Sequence, residues 1–185
     1  QRALIDVRLQ AHAGGPRIAV MVVDSDGDAA AVAATQASLA ALACYRNQQT
    51  WVISSLPQQA AEHGGRGVLI GPDGLVPALN RTIATQQSTD WVLLVEAGSI
   101  FTASGLLMLA LEMLALPDTC QAIYADEVVA LDGGQLGLAM RPALYLDMLL
   151  SSPSTMSRHW LFRHQTLVAD GGLATETSDA FELDY

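Results

Sequence analysis

The sequence predicts an α/β fold in which a mixed, mostly parallel sheet lies between two layers of helices. Short β-branched runs alternate along the chain with longer runs rich in alanine and leucine, as strands alternate with helices in such folds. The first of these runs, "RIAVMVV" at residues 17–23, is almost wholly apolar, which indicates a strand covered on both faces. With 185 residues, 51% of them apolar, the chain is long enough to bury such a core.

The remaining elements follow from the same patterns. Strands are predicted at residues 17–23, 50–55, 67–70, 91–96 and 122–131, and helices at residues 29–43, 75–87 and 102–116. Asp28 is predicted to cap the first of these helices and Thr102 the third, which Pro117 ends. The turn "LDGGQ" after the fifth strand is typical of a hairpin. Residues 1–16 are interpreted as a lead-in segment or linker before a domain at residues 17–185, which we expect to be part of a longer protein.

Composition excludes several classes of function. The net charge of −10 disfavours nucleic acid and anionic lipid as partners, since both would repel the chain. Every basic residue is arginine, which excludes a Schiff-base lysine and a P-loop lysine. The apolar run Gly105–Leu116 is too short for a membrane span and contains Glu112. Cys44 and Cys120 lack metal-ligand spacing and are interpreted as reduced thiols of a cytoplasmic protein, in preference to a disulfide.

Polar residues follow the predicted strands at their carboxyl ends, where α/β sheets bind ligands. The positions are Asp24 to Asp26, Ser54 with Ser55, Glu96 to Ser99, and Asp126 with Glu127. The glycine-rich turns do not join a strand to a helix in the manner of a dinucleotide-binding fingerprint.

Three stretches, "ALNRTIA…DWVLLVE", "IYADE" and "RPALYLDMLLSS", resemble in order and spacing a family 2 glycosyltransferase of the GT-A fold. The resemblance covers residues 17–185. It implies a three-layer, Rossmann-like GT-A domain that transfers a sugar from a nucleotide-sugar donor to a glycan or lipid-linked acceptor, in cell-surface polysaccharide synthesis.

The resemblance also implies a metal site. In that family the strand matching "WVLLVE" ends in an Asp-x-Asp type motif, whose carboxylates hold Mg²⁺ or Mn²⁺ against the departing diphosphate. Here the motif reads Glu96-Ala97-Gly98-Ser99, so Glu96 is the one carboxylate left as a metal ligand. One glutamate and a serine hydroxyl make a poor cage for either ion. Glu96 is therefore interpreted, with equal weight, as a residual ligand or as a solvated carboxylate.

This sequence matches the family's nucleotide-binding and acceptor-binding positions only in part. Asp24 and Ser54 stand where the family contacts the base and ribose, although Asp24 also fits a turn residue. Asp126 and Glu127 match the acidic pair on the acceptor side, and a solvated strand end is the competing interpretation.

The family's general base lies in a late acidic motif that opens a helix, and "SDAFELDY" occupies that place. Glu182 is the best match for the base and Asp184 the next. Either also fits an acid placed for the helix dipole.

Arginines offer a cation in place of the metal, because a guanidinium binds phosphate oxygens through paired hydrogen bonds. Arg81 and Arg141 match positions that are polar or basic in the family, and Arg163 follows the next strand. A surface salt bridge is the competing interpretation for each.

Two hypotheses about function remain. The first is an inverting glycosyltransferase that uses a nucleotide-diphosphate sugar and a glycan acceptor. The second is a catalytically inactive transferase-like domain that serves as a binding or scaffolding module beside other domains. An unrelated flavodoxin-like or receiver domain would have only "DSDGD" as its candidate loop.

Overall fold

The structure, a computed structural model, describes residues 2–42, 45–62, 66–131, 135–141, 147, 151 and 158–174. Within these ranges the elements, in chain order, are α1 (Arg2–Ala11), β1 (Ile18–Asp24), α2 (Ala29–Leu42), β2 (Gln48–Ser54), α3 (Pro57–Glu62), β3 (Gly67–Leu69), α4 (Leu75–Ala84), β4 (Trp91–Glu96), α5 (Gly105–Met113), β5 (Ala122–Ile123), β6 (Glu127–Ala130), β7 (Leu136–Ala139), β8 (Leu161–Arg163) and α6 (His164–Ala169).

The main sheet has the strand order β3-β2-β1-β4-β8-β5. Its strands β3, β2, β1 and β4 are parallel, whereas β8 is antiparallel to both of its neighbours. The strands β6 and β7 form a separate antiparallel hairpin, as the turn "LDGGQ" predicted. The mixed, mostly parallel sheet expected from the sequence is confirmed.

Two layers of helices cover the two faces of the sheet. Every residue of β1 is buried, and alternate side chains face opposite sides. Val20 and Val22 pack in a cluster with side chains of α2 and α5, whereas Ala19 and Met21 pack in a second cluster with side chains of α4 and α6. The three-layer α/β/α arrangement is thereby confirmed, with β1 at its centre.

Some predicted elements differ from the observed ones. Residues 122–131 were expected to form one strand, yet β5 joins the main sheet and β6 joins the hairpin. The chain leaves the sheet between them because the Asp126 carboxylate accepts a hydrogen bond from the backbone N–H of Arg141, beyond the hairpin, at 2.7 Å. Residues 2–11, interpreted as part of a lead-in segment, form helix α1, and its Leu9 packs against the core.

Of the two helix caps predicted from the sequence, one is observed and one is not. Asp28 caps α2 as predicted, since its Oδ1 accepts hydrogen bonds from the N–H groups of Ala30 and Ala31 at 2.9 and 3.1 Å. The prediction for Thr102 is wrong: α5 begins at Gly105, and Ser104 occupies the cap position without a side-chain bond. None of the helices in the described part of the chain has the length and hydropathy needed to cross a membrane.

Helix α2 holds the loop that follows β4. The Thr35 hydroxyl accepts a hydrogen bond from the N–H of Gly98 at 2.9 Å, and the Ser38 hydroxyl accepts one from Phe101 at 3.1 Å. Both hydroxyls belong to buried residues of a helix that is otherwise rich in alanine. Gly98 has a φ of 95°, which glycine adopts without strain. These bonds set the course of the chain directly after Glu96.

A second tie joins the start of β1 to the start of β4. The backbone N–H and the guanidinium of Arg17 donate to the Asp90 carboxylate at 2.7 and 2.9 Å. Partial burial raises the pKa of Asp90, but the hydrogen bonds from Arg17 and the charges of Arg17 and Arg163 outweigh it, so that the pKa lies below its ordinary value.

The substitution Thr35→Val tests the tether of the loop. Valine keeps the shape of threonine but removes the acceptor, which leaves Gly98 with only its longer bond to the Ala31 carbonyl at 3.1 Å. We expect the free energy of unfolding, measured in urea, to fall by about 1–2 kcal/mol. Thr119→Val at an exposed position is the control and should change it by less than about 0.5 kcal/mol. Equal effects would show that the tether adds no stability.

The substitution Asp90→Asn tests the second tie through its dependence on pH. A carboxylate whose pKa is lowered by folding stabilises the protein above its unfolded-state pKa, and this contribution is lost as the pH falls through the folded-state value. Because the two side chains are 51% and 39% exposed, solvent screening limits the contribution to about 1 kcal/mol. The loss of stability between pH 7 and pH 3 should therefore be smaller in the variant, by at most that amount.

Asp73→Asn is the matched control for this experiment. Asp73 is 70% exposed and pairs with Arg81 at 3.6 Å, so its removal should leave the pH dependence of unfolding close to that of the parent. The interpretation of the Asp90 tie fails if Asp90→Asn behaves in the same way.

Candidate functional site

The carboxyl ends of β1, β2 and β4 lie side by side at one end of the main sheet. Asp24 at the end of β1 pairs in register with Ser54 of β2, and Val23 pairs with Glu96 at the end of β4. Three positions named from the sequence, Asp24, Ser54 and Glu96, therefore stand on adjacent strands. This is the edge at which α/β sheets bind ligands.

Asp24 and Ser54 are bonded to each other and to the turn that follows β1. The Ser54 hydroxyl donates to Oδ2 of Asp24 at 2.6 Å, and the N–H of Asp28 donates to Oδ1 at 2.8 Å. The Ser54 hydroxyl also accepts from the N–H of Leu56 at 3.0 Å. Asp24 is 2% exposed and Ser54 0%. The pair builds the turn, and its contact with a nucleotide stays a prediction.

Glu96 meets an arginine at the end of β4. Its Oε2 accepts a hydrogen bond from Nη1 of Arg158 at 2.7 Å. The pairing follows from the antiparallel register of β8 and β4, in which Leu161 stands opposite Leu93. Continued past the ends of the ladder by three residues, this register sets Arg158 opposite Glu96. The side chains are 46% and 38% exposed, so the pair lies open to solvent.

The acidic pair at the start of the hairpin surrounds a buried arginine. Arg141 has a side chain only 4% exposed, and its Nη2 contacts Oε1 of Glu127 at 2.7 Å. The same carboxylate oxygen lies 2.7 Å from Nδ1 of His159. Asp126 accepts the backbone N–H of Arg141, and Nη1 of Arg141 donates to the carbonyl of Arg158 at 2.5 Å. The structure thus brings together Asp126, Glu127 and Arg141, all predicted as substrate-binding residues.

A cavity of about 430 Å³ lies between β4, α5 and the start of the hairpin. Apolar side chains supply most of its walls, among them Leu93, Phe101 and Leu109. Asp126, Glu127 and His159 supply a polar side. The cavity can therefore receive a group that is apolar along most of its length and carries hydroxyls at one end.

The two other arginines considered from the sequence lie away from this cleft. Arg81 is 58% exposed and pairs with Asp73 in the turn after β3, a strand that lies about 14 Å from β4 by strand spacing. Arg163 lies over the ring of Trp91 at the opposite end of β4, 4.7 Å from the ring centroid. A role for Arg81 in substrate binding stays a prediction.

The base candidates Glu182 and Asp184 lie outside the described residues. Within the described ranges, no three or more His, Cys, Asp or Glu side chains come together in a group that could hold a metal ion. The role of Glu96 as a metal ligand stays a prediction.

Sequence reasoning missed Arg158. Its signal was present, since "RHWLFR" places a cation and a histidine directly before an apolar run. The decisive fact is the antiparallel direction of β8, which no local pattern reveals.

No protein-family model matches the chain, and a search of curated proteins finds no significant match. Solved structures do resemble it. A mannosyltransferase from Pyrobaculum calidifontis, PcManGT, in complex with GDP-Man and Mn²⁺, is similar with a TM-score of 0.58 and 18% identity over 90% of this chain. A structure of S. aureus TarS, residues 1–349, is similar with a TM-score of 0.64 and 14% identity over 89% of this chain.

The chain spans about half the length of both, covering 50% of the first and 52% of the second. At these identities the likeness concerns the fold. The chain has a glycosyltransferase-like α/β fold, as the resemblance of its sequence implied.

Proposed function

We propose that this chain is a glycosyltransferase domain that takes a sugar from a nucleotide-diphosphate donor and passes it to a glycan or lipid-linked acceptor, in cell-surface polysaccharide synthesis. The observation that carries the proposal is the cleft in which the end of β4, the acidic pair and a cavity of about 430 Å³ adjoin. The likeness to a mannosyltransferase in complex with GDP-Man supports a nucleotide sugar as donor.

The donor occupies the edge of the sheet beyond β1 and β4 in this proposal. The Arg158 and Glu96 side chains there are partly exposed, and Val95 and Ser99, which come before and after Glu96 in the chain, line the cavity. Charged groups at such a position can orient a diphosphate, because its oxygens accept hydrogen bonds from guanidinium and backbone N–H groups.

The acceptor occupies the cavity. Its hydroxyl oxygen attacks the anomeric carbon of the donor sugar and forms the new glycosidic bond. The bond between that carbon and the diphosphate oxygen breaks, and its electron pair leaves with the nucleoside diphosphate. The hydroxyl proton passes to a carboxylate base, for which Glu182 and Asp184 are the candidates. The apolar walls suit an acceptor with a hydrocarbon portion, as a lipid-linked glycan has.

One observation favours the second hypothesis, a binding or scaffolding module without catalysis. Asp24 and Ser54, at the strand ends expected to contact the nucleotide, are buried and bonded internally. A transferase that lacks these contacts loses several kcal/mol of binding, unless other groups supply it. The two hypotheses differ in whether a nucleoside diphosphate is released.

A release assay tests the proposal. The chain is incubated with UDP-, GDP- and TDP-linked sugars and a mixture of alkyl glycosides, and free nucleoside diphosphate is measured over time. We expect one nucleotide class to give diphosphate only when a glycoside is present, because transfer requires the acceptor hydroxyl. Boiled protein is the control. Donor binding without release favours the binding module, and the absence of both contradicts the enzyme proposal.

A comparison of acceptors tests the assignment of the cavity. An octyl glycoside should be used at least about tenfold better than the methyl glycoside, because each buried methylene contributes about 0.8 kcal/mol. Met108, which lines the cavity and is 50% exposed, can be replaced by tryptophan to narrow it. Met108→Trp should lower the octyl preference, whereas Leu4→Trp on exposed α1 should keep it. An unchanged preference in Met108→Trp contradicts the assignment.

A further inference from the structure

The end of β4 carries a cation from the chain itself. Where the resemblance implies two carboxylates around a divalent ion, the sequence after Glu96 continues with Ala97, Gly98 and Ser99. The guanidinium of Arg158 lies 2.7 Å from Oε2 of Glu96. The positive charge at this position is therefore supplied by a side chain.

The donor groups at this position do not fit Mg²⁺ or Mn²⁺. Either ion requires several oxygen ligands in octahedral geometry. Glu96 offers one carboxylate, and one of its oxygens is already bonded to a guanidinium that would repel a divalent ion. Across the described ranges, no group of three or more acidic, histidine or cysteine side chains forms a metal site.

The backbone of Arg158 is held on its carbonyl side. Nη1 of the buried Arg141 donates to the Arg158 carbonyl at 2.5 Å. The next residue, His159, is bonded to Glu127 at 2.7 Å and has a φ of 57°, in the left-handed region. A residue other than glycine keeps this conformation only where its surroundings determine it. The side chain of Arg158 thus extends from a backbone whose carbonyl and following residue are fixed by hydrogen bonds.

Within the described part of the chain, the Arg158 guanidinium also has donors left for a ligand. A guanidinium has five N–H donors, and the structure shows one of its nitrogens, Nη1, bonded to Glu96. The side chain is 46% exposed, so a ligand can reach the remaining donors. A diphosphate matches these donors in both geometry and charge.

We infer that Arg158 takes the place of the divalent cation, so that its guanidinium, oriented by Glu96, binds the diphosphate of the nucleotide donor without metal. The inference rests on the proposed function, since it names the group that holds the donor's phosphates. Glu96 is then a positioning residue for Arg158 and not a metal ligand.

Calorimetric titration of the chain with UDP, GDP and TDP, in EDTA and again in Mn²⁺, tests the inference. The nucleotide that binds best should bind in EDTA with an affinity within about threefold of that in Mn²⁺. Arg158→Gln should weaken its binding in EDTA by about tenfold or more, because charge-assisted hydrogen bonds to phosphate are lost. Arg158→Lys, which keeps the charge but not the planar fork, should give an intermediate loss.

Arg46→Gln is the matched control. Arg46 is exposed and precedes β2, at the amino ends of the strands, whereas Glu96 lies at a carboxyl end. Removal of the Arg46 charge should therefore leave binding unchanged. Circular dichroism of each variant checks that it is folded.

The outcomes separate the inference from the proposed function. Binding that requires Mn²⁺ and survives in Arg158→Gln overturns the role of Arg158 and leaves a nucleotide-dependent transferase in place. Equal losses in Arg158→Gln and Arg46→Gln also overturn it, because they reflect net charge alone. Failure of all three nucleotides to bind in both conditions overturns the inference and the proposed function together.

Discussion

The burial of β1 on both faces is the constraint on which the arrangement of the cleft depends. All seven residues of the strand are buried, so a polar side chain finds a place only at its end. Asp24 is that residue, and its carboxylate is satisfied by Ser54 and by the turn. Because β2 and β4 pair with β1 in parallel, the polar residues at their carboxyl ends, Ser54 and Glu96, lie at the same end of the sheet as Asp24. Parallel pairing around a covered central strand thus brings three polar strand ends together on one side of the domain.

The antiparallel strand β8 adds what the parallel strands lack. Parallel strands bring their carboxyl ends to the edge, whereas β8 brings the residues that precede it. The register Leu93 to Leu161 therefore carries Arg158 to Glu96 at the end of β4. Strand direction here determines chemistry, because it places a cation next to the one carboxylate left at that position.

The sequence predicted the fold well where periodicity is strong and local. The strand at residues 91–96 was predicted with its observed bounds, and the cap at Asp28 follows from a short-range pattern. The failures share a cause. The break between β5 and β6 depends on a bond from Arg141 to Asp126, fifteen residues apart, and the start of α5 depends on a loop that α2 holds from a distance. Contacts between separate segments decide these features, and a single sequence does not display them.

The candidate site also contains features that the sequence predicted and features that it did not. Glu96, Asp126 and Glu127 were identified because strand ends in α/β sheets collect ligand-binding groups. The partners of these residues were not identified, since Arg141 and Arg158 reach them through the hairpin and through β8. Residue types at strand ends are therefore predictable, whereas the charges they face are not.

The two arginines of the cleft show how exposure separates a supporting role from a binding role. Arg141 is 4% exposed, so burying its charge is costly and requires the Glu127 carboxylate beside it. Its guanidinium also donates a hydrogen bond to the Arg158 carbonyl, which offsets part of that cost and fixes the carbonyl in place. Arg158 is 46% exposed, and a pair at that exposure adds little stability in water. The buried Arg141 fixes the carbonyl of Arg158, and the exposed guanidinium of Arg158 is available to bind a ligand. The difference in exposure therefore leaves Arg158, and not Arg141, within reach of an anionic ligand.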